Sequence, residues 1–518
     1  LPTGRSGVSG AMNPARLLNE TARVHATRTE QLDAETTLSW SQWFERIRRV
    51  SGLLALLGVG PGARYGLLMK NGFRQAESIW AGHWGGAVPV PINWRLAPRE
   101  IADILDDAGC KVVIVDPELQ PVFDDPLLRA WRDRTLPAAA DQGPYEELVA
   151  SSAPAPMRDD GDNVEAIVLY TGGTTGRSKG VRLSHRNIAW NAVQTGLALG
   201  IRPSDVTLTV APMFHAAALC SNITTLLGGT HVFLRQFTPQ NLLDSIERHR
   251  IRFTTVVPTM LKMVLDDPQA SRFDRSSLRV LFYGSSPMPA PWMRSAMEFF
   301  PNAQFHQAYG LTETAPILTV LSDEDHRAGI AAEDAAILGS AGRPLVGVEL
   351  RIVNDSGEEC APGQAGEVRV RAPGVMLGYH NRSAETAAAL EGRWFRTGDI
   401  GAIDAAGYLT ILDRKKDLII TGGENVYSAD VEAALARHPA VAEAAVIGIP
   451  DPRLGETVAA IVVLRKGTTL TSEELIVHCR SLIGGFKVPR QVRFVDALPR
   501  TAVGKVRKSD LRSDWSAN

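Results

Sequence analysis

Tyr170-Thr-Gly-Gly-Thr-Thr-Gly-Arg-Ser-Lys-Gly180 packs glycines, threonines and a lysine into one turn-forming run. Gly172, Gly173 and Gly176 let the backbone take positive φ and approach a ligand closely. Successive N–H groups in such a turn form an anion-binding nest. Thr171, Thr174 and Thr175 add hydroxyls and Lys179 adds a positive charge, so a triphosphate is the guest this chemistry suits. The run is not a Walker A loop, G-x-x-x-x-G-K-[ST] leading into a helix: Arg177 follows Gly176, and Lys179 is followed by Gly180. Gly180–Leu183 reads as extended, and Ser184 as the N-cap of the next helix. The loop is therefore expected to join two strands. A plain hairpin turn is the bland alternative, and it leaves the hydroxyls around one lysine unexplained.

Outward from this loop the chain alternates helical and strand-like segments, the pattern of an α/β protein. Ala166–Tyr170 (AIVLY) and Lys111–Val115 (KVVIV) are short apolar runs typical of buried strands. Ser41–Leu57 places Trp43, Phe44, Ile47, Val50, Leu53 and Leu54 on one helical face. Residues 137–162, rich in Ala, Pro, Asp and Gly, read as a surface excursion. Near the end, a helix at Val431–Ala436, strands at Ala444–Gly448 and Val458–Leu464 and a helix at Ser472–Leu482 suggest a small α+β unit. The charged run Asp413–Asp417 (DRKKD) precedes it, and the domain boundary is expected there as a short charged hinge, giving 1–412 and 413–518.

With 518 residues the chain exceeds one hydrophobic core, and 44% hydrophobic with 22% charged residues is ordinary for a globular enzyme. A net charge of −2 gives no global reason to bind nucleic acid or a membrane surface. Cys110, Cys220, Cys360 and Cys479 form no C-x-x-C pair, which argues against a structural metal or a disulfide scaffold and for a cytoplasmic location. No apolar run reaches the length of a membrane span. Leu1–Ala11 reads as a cloning remnant, with Met12 as the native start. A C-terminal basic cluster, including Lys487, Arg490, Arg500, Lys508 and Arg512, has few acids near it in sequence and reads first as a solvated face, second as a seat for phosphates.

The glycine loop resembles the phosphate loop of the adenylate-forming superfamily, T-S-G-T-T-G-x-P-K-G, with Gly172 and Ser178 in place of serine and proline. Further motifs follow in that family's order. Ala211–His215 (APMFH) is similar to its acyl-pocket segment, and Gly284–Pro289 (GSSPMP) to a segment lining adenine through Gly284, Ser285 and Ser286. Gln307–Glu313 (QAYGLTE) is more specific. The resemblance implies that Tyr309 stacks on adenine beside Gly310, that Thr312 meets the α-phosphate, and that Glu313, with Thr171, holds Mg²⁺. Trp394–Asp399 (WFRTGD) ends in the aspartate implied to hold the ribose diol, whose two hydroxyls match two carboxylate oxygens. Arg414 is implied on ribose or phosphate, Lys416 at the hinge between the domains, and Gly422, Gly423, Glu424 and Asn425 on the pantetheine path. Ser428 replaces a proline there and is expected to soften the loop. In Leu498–Lys505 (LPRTAVGK), Lys505 is implied between carboxylate and α-phosphate.

What the resemblance implies is an acyl-CoA synthetase. Its fold is a large N-terminal adenylate-forming domain of mixed sheets and helices with a small mobile α+β C-terminal domain. Its substrates and cofactors are a small-molecule carboxylic acid, ATP, Mg²⁺ and coenzyme A, and a homodimer is a common state. Phe214 and His215 are expected to orient the acid rather than act as a base. Met213, Trp190 and Ala308 are further candidates around it, and the scarcity of charge there predicts an apolar aliphatic or aromatic acid. The competing expectation is an adenylation enzyme that loads a carrier-protein thiol in trans.

Overall fold

The structure is a computed structural model that describes residues 12–32, 36–139, 143–171, 178–285, 288–415, 417–421, 424–501 and 505–517. The chain divides into two compact units, residues 1–349 with 371–395, and residues 350–370 with 396–518. It leaves the first unit at 349, returns at 371 and leaves again at 395. This division by contacts precedes the charged run at 413–417, because Leu409–Arg414 pairs along Trp394–Ile403 and so belongs to a sheet that begins at Glu349–Val353.

The first unit holds a nine-stranded sheet ordered Arg343–Pro344, Thr319–Leu321, Gln304–Tyr309, Val280–Gly284, Phe253–Val256, Val206–Thr209, Thr230–Phe233, Thr29–Leu32 and Thr37–Ser39. The six strands from Gln304–Tyr309 to Thr29–Leu32 pair in parallel, so their carboxyl ends share one edge. Open α/β sheets bind ligands at that edge. Both faces are covered. Leu281, Tyr283 and Phe305 pack with Leu243, Ile246 and Met293, while Val280 and Phe282 pack with Ala192, Leu199 and Ile223. Burial on both sides explains why these strands read as continuous apolar runs rather than alternating ones.

A four-stranded parallel sheet follows the order Val88–Pro91, Arg64–Leu68, Val113–Val115, Thr135–Pro137. Beside it the helix Trp40–Leu56, capped by a Ser39–Gln42 box, buries Trp43, Ile47, Val50, Leu53 and Leu54 of the expected face, with Phe44 partly buried at its margin. The third sheet is antiparallel: Gly378–Tyr379, Lys179–Ser184, Glu165–Thr171. Ser184 caps the helix His185–Leu199 as its position predicts, accepting from the Asn187 N–H at 3.2 Å.

Residues 137–162 are not merely a surface excursion. They include the helix Pro144–Ser151, whose Tyr145 and Val149 are buried. The Tyr145 hydroxyl donates to Glu77 at 2.7 Å, and Arg46 pairs with the same carboxylate at 2.7 Å. An i, i+4 stripe of two residues is too short a pattern to stand out from its Ala- and Pro-rich surroundings.

The second unit is built on the hairpin Val441–Asp451 and Gly455–Leu464, extended by Ile419–Thr421, Glu424–Val426 and Gln491–Phe494. Alternate residues serve two cores. Val446, Val458, Ala460 and Val462 face Val431, Leu435, Leu475 and Cys479 of two helices, while Ile447, Ile449, Ala459 and Ile461 face Leu498 and Leu511. A strand pair covered on both faces needs apolar residues at both parities, hence AAVIGI and VAAIVVL.

Candidate active site

In the first unit, Thr171 ends one strand and pairs with Lys179 on the next, which closes the base of the glycine loop. Gly172, Gly173, Thr174, Thr175 and Gly176 lie outside the described residues, as does Ser286. The Lys179 ammonium stands 5.3 Å from the centroid of the Tyr379 ring. The Tyr379 hydroxyl donates to Glu313 Oε1 at 2.9 Å, and the Met376 N–H donates to the Glu313 carbonyl at 2.9 Å. Two motifs distant in sequence, the loop and QAYGLTE, are thus joined through one aromatic ring. Tyr379 was not among the sequence candidates. Nothing in its neighbours marks it, and its position follows from the register Tyr379↔Val181.

Gly284, Ala308 and Tyr309 gather at the carboxyl edge of the nine-stranded sheet, where Gly284 lies opposite Ala308. Ser285 follows with φ of 71°, a left-handed conformation that costs a non-glycine residue about 1–2 kcal/mol. Strain of this kind gathers at ligand-binding turns. After Tyr309 the chain folds back tightly: a Cβ on Gly310 would lie 1.8 Å from the Pro316 carbonyl oxygen, so only glycine fits. Thr312 and Glu313 then occupy the single turn Thr312–Thr314, held by the Leu311 N–H donating to Thr314 Oγ1 at 3.0 Å.

Phe214 and His215 follow the strand Val206–Thr209 at the same edge. Buried Asn71 clamps this bend, donating to the carbonyls of Thr209 (3.2 Å) and Ala211 (3.1 Å) and accepting from the Met213 N–H (2.9 Å). His215 Nδ1 accepts from the Ala217 N–H at 3.2 Å. The neutral ring then carries its proton on Nε2. Met213 and His215 line an apolar recess with Trp80, Leu169, Leu219 and Phe233.

In the second unit, Asp399 and Arg414 face each other across paired strands. Arg414 Nε lies 2.6 Å from Asp399 Oδ1, with the carboxylate 2% and the guanidinium 44% exposed. The Asp399 N–H donates to Thr397 Oγ1 (3.0 Å), and that hydroxyl donates to the Val368 carbonyl (2.7 Å), which fixes the aspartate on its strand. Glu424 and Asn425 are exposed on the strand Glu424–Val426; Gly422, Gly423 and the hinge candidate Lys416 lie outside the described residues. Lys505 is exposed. Its backbone is tied to Thr501 by bonds of 2.7 and 3.1 Å.

Two expectations change. Ser428 does not soften its loop: its N–H donates to Asp413 Oδ2 at 2.5 Å and its hydroxyl accepts from Lys508. A proline there would lack that N–H. The basic cluster is also not a bare cationic face. Lys487 pairs with Asp430 (2.6 Å), Arg500 with Glu443 (2.7 Å), Lys508 with Glu432 (2.8 Å) and Arg512 with Asp417 (2.8 Å). Those acids come from distant segments, which is why the sequence around the cluster does not show them.

Residues 18–380 match the family model of the AMP-binding enzymes, and residues 430–505 match the model of the AMP-binding enzyme C-terminal domain. The chain belongs to the AMP-binding enzyme family. Among curated relatives of this AMP-binding enzyme, a feruloyl-CoA synthase from Amycolatopsis sp. is 37% identical over 494 residues, 95% of this chain and 96% of that one. An indoleacetate–CoA ligase from Aromatoleum aromaticum is 38% identical over 486 residues, covering 92% and 93%. A solved structure of o-succinylbenzoate CoA synthetase from Bacillus subtilis, in complex with its acyl-adenylate intermediate, superposes with a TM-score of 0.84 at 30% identity over 96% of this chain and 97% of that one. The enzyme is an AMP-forming acid–thiol ligase that uses ATP, Mg²⁺ and coenzyme A.

Among the described residues, no group of three His, Cys, Asp or Glu could hold a metal ion by itself. That donor set fits Mg²⁺ all the same, since this ion keeps its waters and takes one or two protein oxygens beside substrate phosphates. Glu313, with Thr171, would hold it, and its charge would offset that of the phosphates.

Proposed function

We propose that this enzyme activates an aromatic or aliphatic carboxylic acid with an apolar body, with Lys505, Glu313 and Thr171 as catalytic residues. The observation that carries the assignment of Glu313 and Thr171 is the contact chain Lys179–Tyr379–Glu313, which brings a cation and a carboxylate beside the loop base at Thr171, while Lys505 rests on its place in the motif LPRTAVGK. The apolar recess next to His215 supports the choice of acid. Aromatic acids come first, because the relatives named above are a feruloyl-CoA synthase and an indoleacetate–CoA ligase.

The acid's carboxylate accepts from His215 Nε2–H while its body enters the recess. Tyr309 stacks on adenine, with Gly284, Ser285 and Ala308 along the ring edge. Asp399 accepts from both ribose hydroxyls, and Arg414 holds the carboxylate in place. Lys505 sets an ammonium between the acid's carboxylate and the α-phosphate, which lowers their repulsion as the new P–O bond forms and pyrophosphate leaves. Thr312 donates to the α-phosphate. In the second half-reaction the C-terminal part, from 413 onward, turns about Lys416. Lys505 withdraws, and Gly422, Gly423, Glu424 and Asn425 come to line the path of the thiol, which attacks the mixed anhydride and releases AMP. Among the described residues no helix is long and apolar enough to cross a membrane. The free cysteines suit a cytoplasmic location, and a homodimer is the state we propose.

The test is pyrophosphate release from MgATP over a panel of aromatic, short, medium and long-chain acids, with and without coenzyme A. The expected result is turnover with an aromatic or apolar acid that continues past one equivalent only when coenzyme A is present. A small dicarboxylate as best substrate would refute the apolar acid, and adenylation with no response to coenzyme A would favour carrier loading. Lys505→Ala should lower adenylation by about 10²–10³-fold, while thioester formation from supplied acyl-adenylate persists.

A further inference from the structure

Behind the carboxyl ends of the strands Val280–Gly284 and Gln304–Tyr309 lies a buried polar group that the reaction scheme leaves unused. Tyr283, Gln307 and His326 are 0%, 7% and 0% exposed. Tyr283 immediately precedes Gly284, and Gln307 immediately precedes Ala308 and Tyr309. The Tyr283 hydroxyl lies 2.7 Å from His326 Nε2 and 3.2 Å from the Gln307 side-chain oxygen. His326 Nδ1 lies 2.6 Å from the Ser322 carbonyl.

A carbonyl oxygen can only accept, so Nδ1 carries a hydrogen. Burial favours the neutral imidazole and lowers its pKa, against the hydrogen bond to Ser322 and the charges of Asp323 and Asp325 and with Arg327. Nε2 is then an acceptor, and the single hydrogen of the Tyr283 hydroxyl goes to it, the shorter of the two contacts. The carbonyl that orients the ring is itself fixed. Ser322 caps the helix Asp323–Ala331, accepting from the Asp325 N–H at 3.1 Å while its own N–H donates to the Asp325 carboxylate at 3.1 Å.

We propose that Tyr283 and His326 are positioning residues: their hydroxyl–imidazole bond ties the strand end that carries Gly284–Ser285 to the capped helix Asp323–Ala331, whose Asp323 carboxylate accepts from the Phe305 N–H (3.0 Å) of the strand that carries Ala308–Tyr309, and so sets the spacing of the adenine-facing edge. The inference rests on the reading that this edge faces adenine. Neither residue touches substrate; each acts through the backbone of its neighbour.

The test uses Tyr283→Phe, His326→Asn and His326→Gln, with Tyr309→Ala alongside. Glutamine reaches as far as Nε2 and keeps an acceptor for the phenol, whereas asparagine keeps a polar group only at the Nδ1 position. KM for ATP should rise about three- to tenfold in Tyr283→Phe and His326→Asn, return most of the way in His326→Gln, and leave KM for the acid unchanged. Melting temperatures read the structural contribution separately. Lower melting temperatures with an unchanged KM for ATP, or glutamine no better than asparagine, would overturn the proposal. If Tyr309→Ala leaves KM for ATP unaltered, the adenine assignment fails and takes this inference with it; if only Tyr309→Ala raises it, the tie alone is wrong. Should Tyr283→Phe not fold, the two His326 variants carry the same comparison.

Discussion

Among the described residues, the ring and hydroxyl of Tyr379 join Glu313 to Lys179, so removing that one oxygen separates two effects. Tyr379→Phe keeps an aromatic face for the ammonium but leaves Glu313 without its donor. The Mg²⁺ concentration needed for half-maximal pyrophosphate release should rise about three- to tenfold, the scale of one hydrogen bond to a charged group, with KM for ATP at saturating Mg²⁺ little changed. Equal Mg²⁺ dependence in variant and parent would show that the contact does not orient the carboxylate. Ser428 offers a second single-residue experiment. Ser428→Pro deletes the N–H given to Asp413 and the hydroxyl offered to Lys508, and should destabilise the second unit by about 1–3 kcal/mol in urea unfolding. At this scale the sequence exposes residues whose type and spacing belong together, such as Asp399 and Arg414, which the structure pairs. It hides Tyr379 and Asn71, because their parts depend on strand register and on a bend packed against a distant segment, neither of which leaves a local pattern.

Helices and strands were legible where one physical rule dominates. Ser184 announces a helix start because a serine followed three residues on by an asparagine can satisfy the first free N–H groups. Ser184→Ala should therefore cost about 1 kcal/mol, read as a shift in the urea midpoint of the first unit, with a smaller loss if the backbone finds water instead. The helix Pro144–Ser151 escaped because its buried face is only Tyr145 and Val149. The paired basic cluster escaped for a related reason: an ion pair between Lys508 and Glu432 joins two elements, and sequence proximity does not report on it. The turn after Tyr309 shows a third case, where close backbone approach dictates a glycine. Gly310→Ala must push Pro316 aside, and adenylation should fall further than overall stability, as measured by pyrophosphate release against melting temperature.

For the molecule as a whole, burial of neutral histidines predicts a pH response. His185 and His306 are lowered to about 4 and His231 to about 3, chiefly by burial, and all three belong to the first unit. The unfolded chain, with histidines near the ordinary value, takes up protons first as pH falls below about 6.5. Stability is thus retained above that pH and is lost between about 6.5 and 4, by about 1.4 kcal/mol per pH unit for each histidine. The urea midpoint of the first unit should drop clearly between pH 7.5 and 5; a flat profile would mean that these rings are solvated or protonated in the fold. The α/β class and the motif order were readable from one end of the chain to the other. The return of the chain at 371 was not, since it depends on which strands pair. That return has a consequence for synthesis on the ribosome. The strand Gly366–Arg371 emerges before its partner Trp394–Ile403 exists, and at roughly 5–20 residues per second it waits on the order of a few seconds with one edge bare. Its sequence, GEVRVR, sets Glu367, Arg369 and Arg371 between the valines, and charges so placed discourage pairing with another nascent chain.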